Sequence, residues 1–485
     1  MSDCTSLLLD RRPFHGRHAV IIGSGPNGLA AAIVLAEAGY GVEVHEAQPT
    51  IGGGARTLPL TLPGFFHDFG STIHAMAAGS PFFSCLKLEQ HGVEWIHPPA
   101  PLAHPLDDGT AVMLERDLDD AARALGPDGK RWRHIFGSLA ENWPQLAEEI
   151  FQPVVHVPRH PFLIARFGIR ALTPATLFAR RSFKDARTRA LFSGIAAHSF
   201  LPLEAPLSSS GGIMLAVAAH AVGWPMARGG AQSITNALAS ILSELGGCIY
   251  TNSPIISLDS FSRDTLFLCD VSPRQLLAIT SHRFEPGFRQ NLQEFKPGPG
   301  AFKIDYALSD PIPWKAADCL RAGTVHLGGT FEEIAAGERA VAKGEHPERP
   351  FVLLAQPTLF DTTRAPAGKH IAWAYCHVPN GSTFDMTERI EAQIEHFASG
   401  FRDCILARHI SSPATLESMD ANLLGGDISG GAMTLRQTLF RPTRRNYATS
   451  DPNIFLCSAS TPGVGGVHGM CGYNAARAAL RDARI

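Results

Sequence analysis

Short unbroken apolar runs alternate along this chain with longer segments of helical periodicity, and glycines mark many of the joins. The first run, 19–22, is wholly apolar, as a strand buried on both faces of a parallel sheet would be. It leads into Gly23, Gly25 and Gly28. An alanine-rich segment over 29–38 follows and predicts a helix. Residues 39–45 alternate as a second strand that ends at Glu46. Helical spacing returns over 117–125 and 131–150, and the basic and apolar stretch 156–192 predicts several short helices. The apolar stretch 211–227, interrupted by His220 and Pro225, predicts a buried helix. Gly229-Gly230 opens another helix over 233–245, which stops at Gly246-Gly247. Strand patterns occupy 248–250, 255–258, 265–269, 301–308, 351–355 and 370–376, and one long helix fits 386–407. Residues 60–100, rich in Pro, Gly, His and Phe, predict irregular structure. The chain closes with a strand (453–457), a glycine-rich loop (462–472) and a helix (473–483).

The opening strand, glycine turn, helix and acid-terminated strand form a dinucleotide fingerprint. Gly23 permits the sharp turn, Gly25 lets backbone approach a pyrophosphate, and Gly28 lets helix and strand pack closely. Pro26 and Asn27 complete the turn. Free N–H groups and the helix dipole at that N-terminus favour an anion. Glu46, with Ala47 beside it, stands where an acid meets the ribose hydroxyls of an adenosine half.

The 485 residues suffice for two or three domains. Dinucleotide-type elements occur at the start, near 229–280 and at the very end. The predicted layout is therefore interleaved: cofactor-binding segments at 15–95, 225–295 and 441–485, cap helices at 96–224, and a substrate-domain sheet and helix at 296–440. A net charge of −3 gives no global attraction to nucleic acid or an anionic membrane. The nine cysteines include no CxxC pair, which argues against a zinc site and a redox dithiol. Their odd count and lack of pairing point to a reducing compartment, the cytoplasm. No stretch reaches the length of a membrane-spanning helix. A single fingerprint leaves no dedicated nicotinamide domain, so oxygen, a quinone or another acceptor is the expected electron sink.

The segments Gly23–Gly28, Glu46, Gly52-Gly-Gly-Ala-Arg-Thr57 and Asn453–Gly469 together resemble the flavoprotein group of phytoene desaturases, amine oxidases and retinol saturases. Gly229-Gly230, 324–330, 364–370 and 425–431 extend the resemblance to the phytoene dehydrogenase-related oxidoreductases, over nearly the whole chain. Where that family's final strand usually runs into an Ala-Gly pair, this chain has Ser458-Ala459, and the hairpin near 255–270 is trimmed. The resemblance implies an α/β fold, with a Rossmann-like, glutathione reductase-like FAD-binding domain and an interleaved mixed α+β substrate domain. It also implies a tightly bound FAD. Gly53, Gly54, Ala55 and Arg56 would then face the ribityl chain, pyrophosphate or ring, and Gly466 and Val467 would bring a helix N-terminus to the flavin.

Three residues are candidates for the chemistry. Lys303 resembles the lysine that some amine oxidases hold near the flavin; the alternative is a strand lysine in solvent. His74 and His468 are candidate acid–base groups, against structural roles. HxxxH spacing at His156 and His160 is broken by Pro158, which argues against a metal pair. The expected reaction is desaturation or saturation of a C–C bond in an apolar polyene-like substrate by hydride exchange with FAD. The alternatives are an amine oxidase using Lys303 and a flavin-bearing protein without catalysis. Basic and apolar residues interleave over 159–189, which fits either a peripheral membrane contact or a solvated cap helix.

Overall fold

The computed structural model describes residues 16–280 and 282–482. In chain order its main strands are β1 (His18–Ile22), β2 (Gly41–His45), β3 (Ala100–Pro105), β4 (Ala111–Leu114), β5 (Cys248–Tyr250) and β6 (Leu266–Cys269). They continue as β7 (Gly300–Leu308), β8 (Ala322–Leu327), β9 (Val352–Ala355), β10 (His370–Val378), β11 (Ile405–Ser411) and β12 (Ile454–Leu456).

These strands form two main sheets. The first is five-stranded and parallel, in the order β12-β6-β1-β2-β5. Three adjacent strands, β1, β6 and the edge strand β12, carry the apolar runs 19–22, 266–269 and 454–456, all buried, because helices cover both faces of such a sheet. The strands come from the beginning, middle and end of the chain. The helices Pro26–Glu37 and Met470–Asp482 pack against each other, so the two ends of the chain meet at this sheet. A Cβ on Gly472 would collide with the Asn27 carbonyl, and this glycine is what lets the two helices approach.

The second sheet has seven strands, in the order β11-β7-β10-β9-β8-β3-β4. All its pairs are antiparallel except β8 with β3. Here the period of two decides everything. Phe302, Ile304, Tyr306 and Leu308 of β7 join Ala372, Ala374, Cys376 and Val378 of β10 in one apolar layer. The helix Thr387–Phe397 seals it with Ile390 and Ile394. Lys303, Asp305, Trp373, Tyr375 and His377 occupy the intervening positions and face the other way.

Several elements differ from expectation. The segment 386–407 is a helix only to Phe397. Gly400, at φ 92°, then turns the chain into β11, an edge strand that alternates between half-buried and exposed positions. Residues 255–258 form no strand. The predicted helix over 131–150 is two, Gly129–Glu141 and Trp143–Ile150, because Pro144 takes a first-turn position and cannot continue the preceding helix. The hairpin β3–β4, strand β8 and the helix Phe331–Ala342 were not anticipated. Cys85 is disulfide-bonded, contrary to the expectation of unpaired thiols, and the other described cysteines are free.

Gly472→Ala should lower unfolding free energy by about 1–3 kcal/mol in urea titrations, the usual cost of overpacking. A neutral effect would mean that the two helices have room to part.

Candidate functional site

The glycine turn after β1 is built as its spacing demands. Gly23 has φ 97°, and a Cβ there would lie 2.9 Å from the Asp270 carbonyl oxygen. A Cβ on Gly28 would strike the Gly23 carbonyl. The following helix begins at Pro26, and its N-cap, Gly25, offers no side chain. Asp270, at the end of the neighbouring β6, supplies the missing acceptor. Its Oδ2 accepts from the Gly28 N–H at 2.9 Å and lies 2.7 Å from where a Gly25 Cβ would sit.

Glu46 is buried at the end of β2 and braces the same turn. Its Oε2 accepts from the Ser24 N–H at 3.0 Å and the Ser24 hydroxyl at 2.6 Å, and its Oε1 accepts from the Gln48 N–H at 2.9 Å. Ala47 next to it is exposed. Asn27 Oδ1 is buried at the helix start without a partner.

The second glycine loop abuts the first: a Cβ on Gly53 would lie 3.2 Å from Gly25 Cα, while Gly54 has open space beside it. Ala55 is buried. Arg56 folds back so that Nε donates to the Gly53 carbonyl and NH2 to the Met419 carbonyl, both at 2.8 Å. Its guanidinium lies 4.8 Å from the centre of the Phe69 ring. Burial lowers the Arg56 pKa, opposed by the charges of Asp420 and Glu46. The Asp270 carboxyl is pushed up to about 7, chiefly by burial and further by Asp420 and Glu46, against the Gly28 hydrogen bond. Asp420 is raised as well, mainly by burial. Arg56 thus lies in the field of Asp420 and Glu46, and the same two carboxylates help raise Asp270.

A second cluster joins the two sheets. Asp68 accepts from the Thr57 and Thr72 hydroxyls at 2.7 Å and from the Ala231 N–H at 2.9 Å, and it pairs with buried Arg364 at 3.0 Å. Its carboxyl is held below the usual range because Arg364 and these donors outweigh burial. Lys303, only 5% exposed, pairs with Asp305 and donates to the Asp68 carbonyl at 3.1 Å. Its ammonium also lies 5.7 Å from the Trp373 ring. The lysine is therefore an internal ion pair; its solvated alternative is excluded by burial. His74 Nδ1 meets the Ser71 hydroxyl at 3.3 Å, while its Nε2 is buried and unpartnered. Burial drops the His74 pKa to about 4, so the ring is neutral.

The C-terminal loop reaches this neighbourhood. Gly466, at φ 114°, lies against Met76, and the Ser80 hydroxyl donates to the His468 carbonyl at 2.7 Å. Half-buried Val467 lies between them in sequence. His468 itself has no spare ring nitrogen: Nδ1 accepts from the Met470 N–H at 3.0 Å and Nε2 meets the Val464 carbonyl at 2.7 Å. Burial lowers its pKa to about 4. That arrangement fixes the loop and starts the terminal helix; it offers nothing for proton transfer.

The structure thus gathers the two glycine loops, Glu46 and Arg56 at one place, and Lys303 and His74 around Asp68, with the Gly466 loop against Met76, two residues past His74. Asp270, Asp420, Asp68, Arg364, Asp305 and Trp373 belong to these clusters and were not singled out from the sequence. Asp305 alternates with Lys303, which was a readable signal; Asp270 and Asp420 carried none, because only folding brings them to Gly25 and Arg56. The donor set fits FAD. The bare backbone of the glycine turn, the open side of Gly54, the unpartnered Asn27 oxygen and the buried Arg56 suit its nucleotide half.

Comparison with known proteins agrees with this fold. The NAD(P)-binding Rossmann-like domain family matches residues 21–86. The chain is 25% identical over 545 aligned positions to pyridine nucleotide-disulfide oxidoreductase domain-containing protein 2 of Rattus norvegicus, covering 96% of this chain and 93% of the relative. It is 25% identical over 262 positions to a 4,4'-diapophytoene desaturase of Methylomonas, covering 50% of this chain and 48% of that one. Among solved structures, an oxidoreductase from Methanosarcina mazei superposes with a TM-score of 0.66 at 16% identity, covering 96% of this chain and 100% of the other. Putrescine oxidase bound to putrescine does so with 0.59 at 15% identity, covering 97% and 99%. At such identities the two structures speak for the fold alone.

Three outcomes test the nucleotide half. Because burial raises the Asp270 pKa from 3.8 to about 7, its contribution favours the folded state at low pH and is lost as pH rises through that interval. Asp270→Asn keeps an acceptor for Gly28 without the charge. It should gain a few kcal/mol over the parent at pH 8, at about 1.4 kcal/mol per pKa unit, and nothing near pH 4, by chemical unfolding. Glu46→Ala should destabilise by about 1–3 kcal/mol, because the Ser24 and Gln48 N–H groups lose their acceptor. Glu46→Arg should also lose copurifying FAD; yellow colour surviving unchanged would remove Glu46 from the ribose site.

Proposed function

We propose that this chain, which resembles the phytoene dehydrogenase-related FAD-dependent oxidoreductases, desaturates or saturates a C–C bond of an apolar, polyene- or isoprenoid-like substrate. The observation that carries the reading is the face that the seven-stranded sheet turns toward the cofactor domain. It holds a stacked Trp373–Tyr375 pair, with ring centres 5.8 Å apart, followed by His377 and Phe200. His326 and His198 meet at 3.1 Å beyond them. Burial brings the His198 pKa down to about 3 and His326 well below its ordinary value, so both rings are neutral. Lys303, the one lysine or arginine on that face among the described residues, is paired with Asp305. Such a surface suits an uncharged hydrocarbon, which binds by burial at ~25 cal/mol per Å² and needs few polar contacts.

FAD, when bound, supplies the acceptor or donor of a hydride. The residues of the chain do the rest. Trp373 and Tyr375 hold the substrate flat and keep water out. Asp305 and the Asp68 carbonyl fix the Lys303 ammonium, giving a permanently oriented positive charge for electrons arriving nearby. His74, neutral and with a free Nε2, is the group able to hold or release a proton; His468 is committed to its loop.

The amine oxidase reading draws on Lys303 and the paired aromatic rings. It requires a cationic amine to approach a face whose lysine is already balanced. Anaerobic mixing of the flavin-loaded protein with a polyene, and separately with a polyamine, separates the two. The expected result is bleaching of the flavin by the polyene and none by the amine. Lys303→Met should keep FAD but slow that bleaching about 10²-fold, the scale of losing one preorganised electrostatic contact. Peroxide formed from polyamines alone would establish the amine oxidase instead, and a flavin that photoreduces while no substrate bleaches it would support a non-catalytic role.

A further inference from the structure

The segment 154–177 carries the densest group of exposed large apolar side chains in the described residues. Val157 and Phe162 are 92% and 91% exposed, and Val154, Val155, Ile169, Leu172 and Leu177 are also turned outward. The helix Pro161–Ala171 explains why. Leu163, Ile164 and Phe167 pack against the main core, which satisfies its inner stripe, while Phe162 and Ile169 remain on the outside. The next helix, Ala175–Ser182, leaves it at 102°, so the pair makes a bent ridge. No single helix among the described residues is long and apolar enough to cross a membrane. A soluble surface rarely carries apolar residues this concentrated without a use for them.

The charge along the ridge's own segment is one-sided, although Arg159, Arg180 and Arg187 meet Glu148, Glu332 and Asp108 of other elements at 3.5–3.9 Å. Residues 159–189 hold Arg159, Arg166, Arg170, Arg180, Arg181, Lys184, Arg187 and Arg189 against Asp185 alone. Asp185 is spent capping the helix Ala186–Ala197, where it accepts the Arg187 N–H. Burial lowers the Arg170 pKa, and the charges of Arg166 and Arg131 lower it further. The protein as a whole carries a net charge of −3, which makes this a local feature.

We propose that this ridge docks the protein on the surface of an anionic lipid bilayer, with Phe162, Ile169 and the valines entering the acyl boundary and the arginines meeting lipid phosphates. An amphipathic element with apolar residues outward and arginines at its margin is built for that interface. A second copy of the chain fits less well. A two-fold contact would set the same ridge against itself and bring arginine face to face with arginine. The inference uses the surface alone and does not depend on the reaction, so it can fail while the flavin reading stands.

Flotation of the purified full chain with vesicles tests it. Vesicles of phosphatidylcholine with phosphatidylglycerol should carry the protein up, phosphatidylcholine alone should carry much less, and salt should release it. Phe162→Ser with Ile169→Ser should cut flotation about tenfold or more while the melting curve stays in place, because both side chains are already exposed. Val154→Ser with Val155→Ser and Val157→Ser gives the same readout from the loop, should the helix pair misfold. Arg166→Gln with Arg170→Gln should erase the preference for phosphatidylglycerol. Absence of flotation, or flotation unchanged in both apolar variants, overturns the proposal. So does a parent that sediments as a dimer and becomes a monomer on the Phe162→Ser and Ile169→Ser changes, for then the ridge is an interface between copies.

Discussion

Everything in the cofactor half rests on one close approach: the glycine turn after β1 against the end of β6 and the terminal helix. Gly23, Gly28 and Gly472 each bring backbone to backbone at distances that a methyl group would forbid. The result is a seam where the first, middle and last parts of the chain are in contact. The seam has few side chains of its own, which is what a site for a large anionic coenzyme requires. The same bareness leaves N–H groups in need of acceptors, and Asp270 and Glu46 provide them. The turn is therefore held from both sides by carboxylates, at the helix N-terminus where a phosphate would sit. Arg56 and the raised pKa of Asp270 are how the fold lives with that conflict.

The half built on the seven-stranded sheet solves a different problem. Its sheet has one wholly apolar face, sealed by a helix, and one face that bears lysine, aspartate, histidine and aromatic rings. Burying those polar groups is tolerable because they serve one another: Lys303 with Asp305, His377 with Glu338, His198 with His326, Asp68 with Arg364. A buried charge without such a partner would cost several kcal/mol. The outcome is a lining that is polar in composition and close to neutral in effect.

Much of this could be read along the chain. The fingerprint, the second glycine loop and the closing strand–loop–helix were legible because glycine spacing is a local constraint, written into neighbouring residues. The missed elements were those whose signal is weak or shared. The helix Phe331–Ala342 announces itself only through Thr330 and Glu333, a capping box. Strand β11 follows a helix so directly that a single apolar rhythm spans both, and Gly400 is the mark of the break. The short helices of 156–192 were expected, yet which side of each would face water was not.

The sequence by itself determined that a dinucleotide-type turn exists, that its pieces are scattered, and that apolar strands alternate with helices around it, since turn geometry and side-chain period are properties of adjacent residues. Tertiary structure alone decided that Asp270 caps the first helix, that Arg56 answers Asp420, that Lys303 is paired rather than free, and that His468 is consumed by its own loop. Those outcomes depend on groups far apart in the chain sharing a water-poor space. There, solvation and charge are settled by three-dimensional neighbours, which no local pattern records.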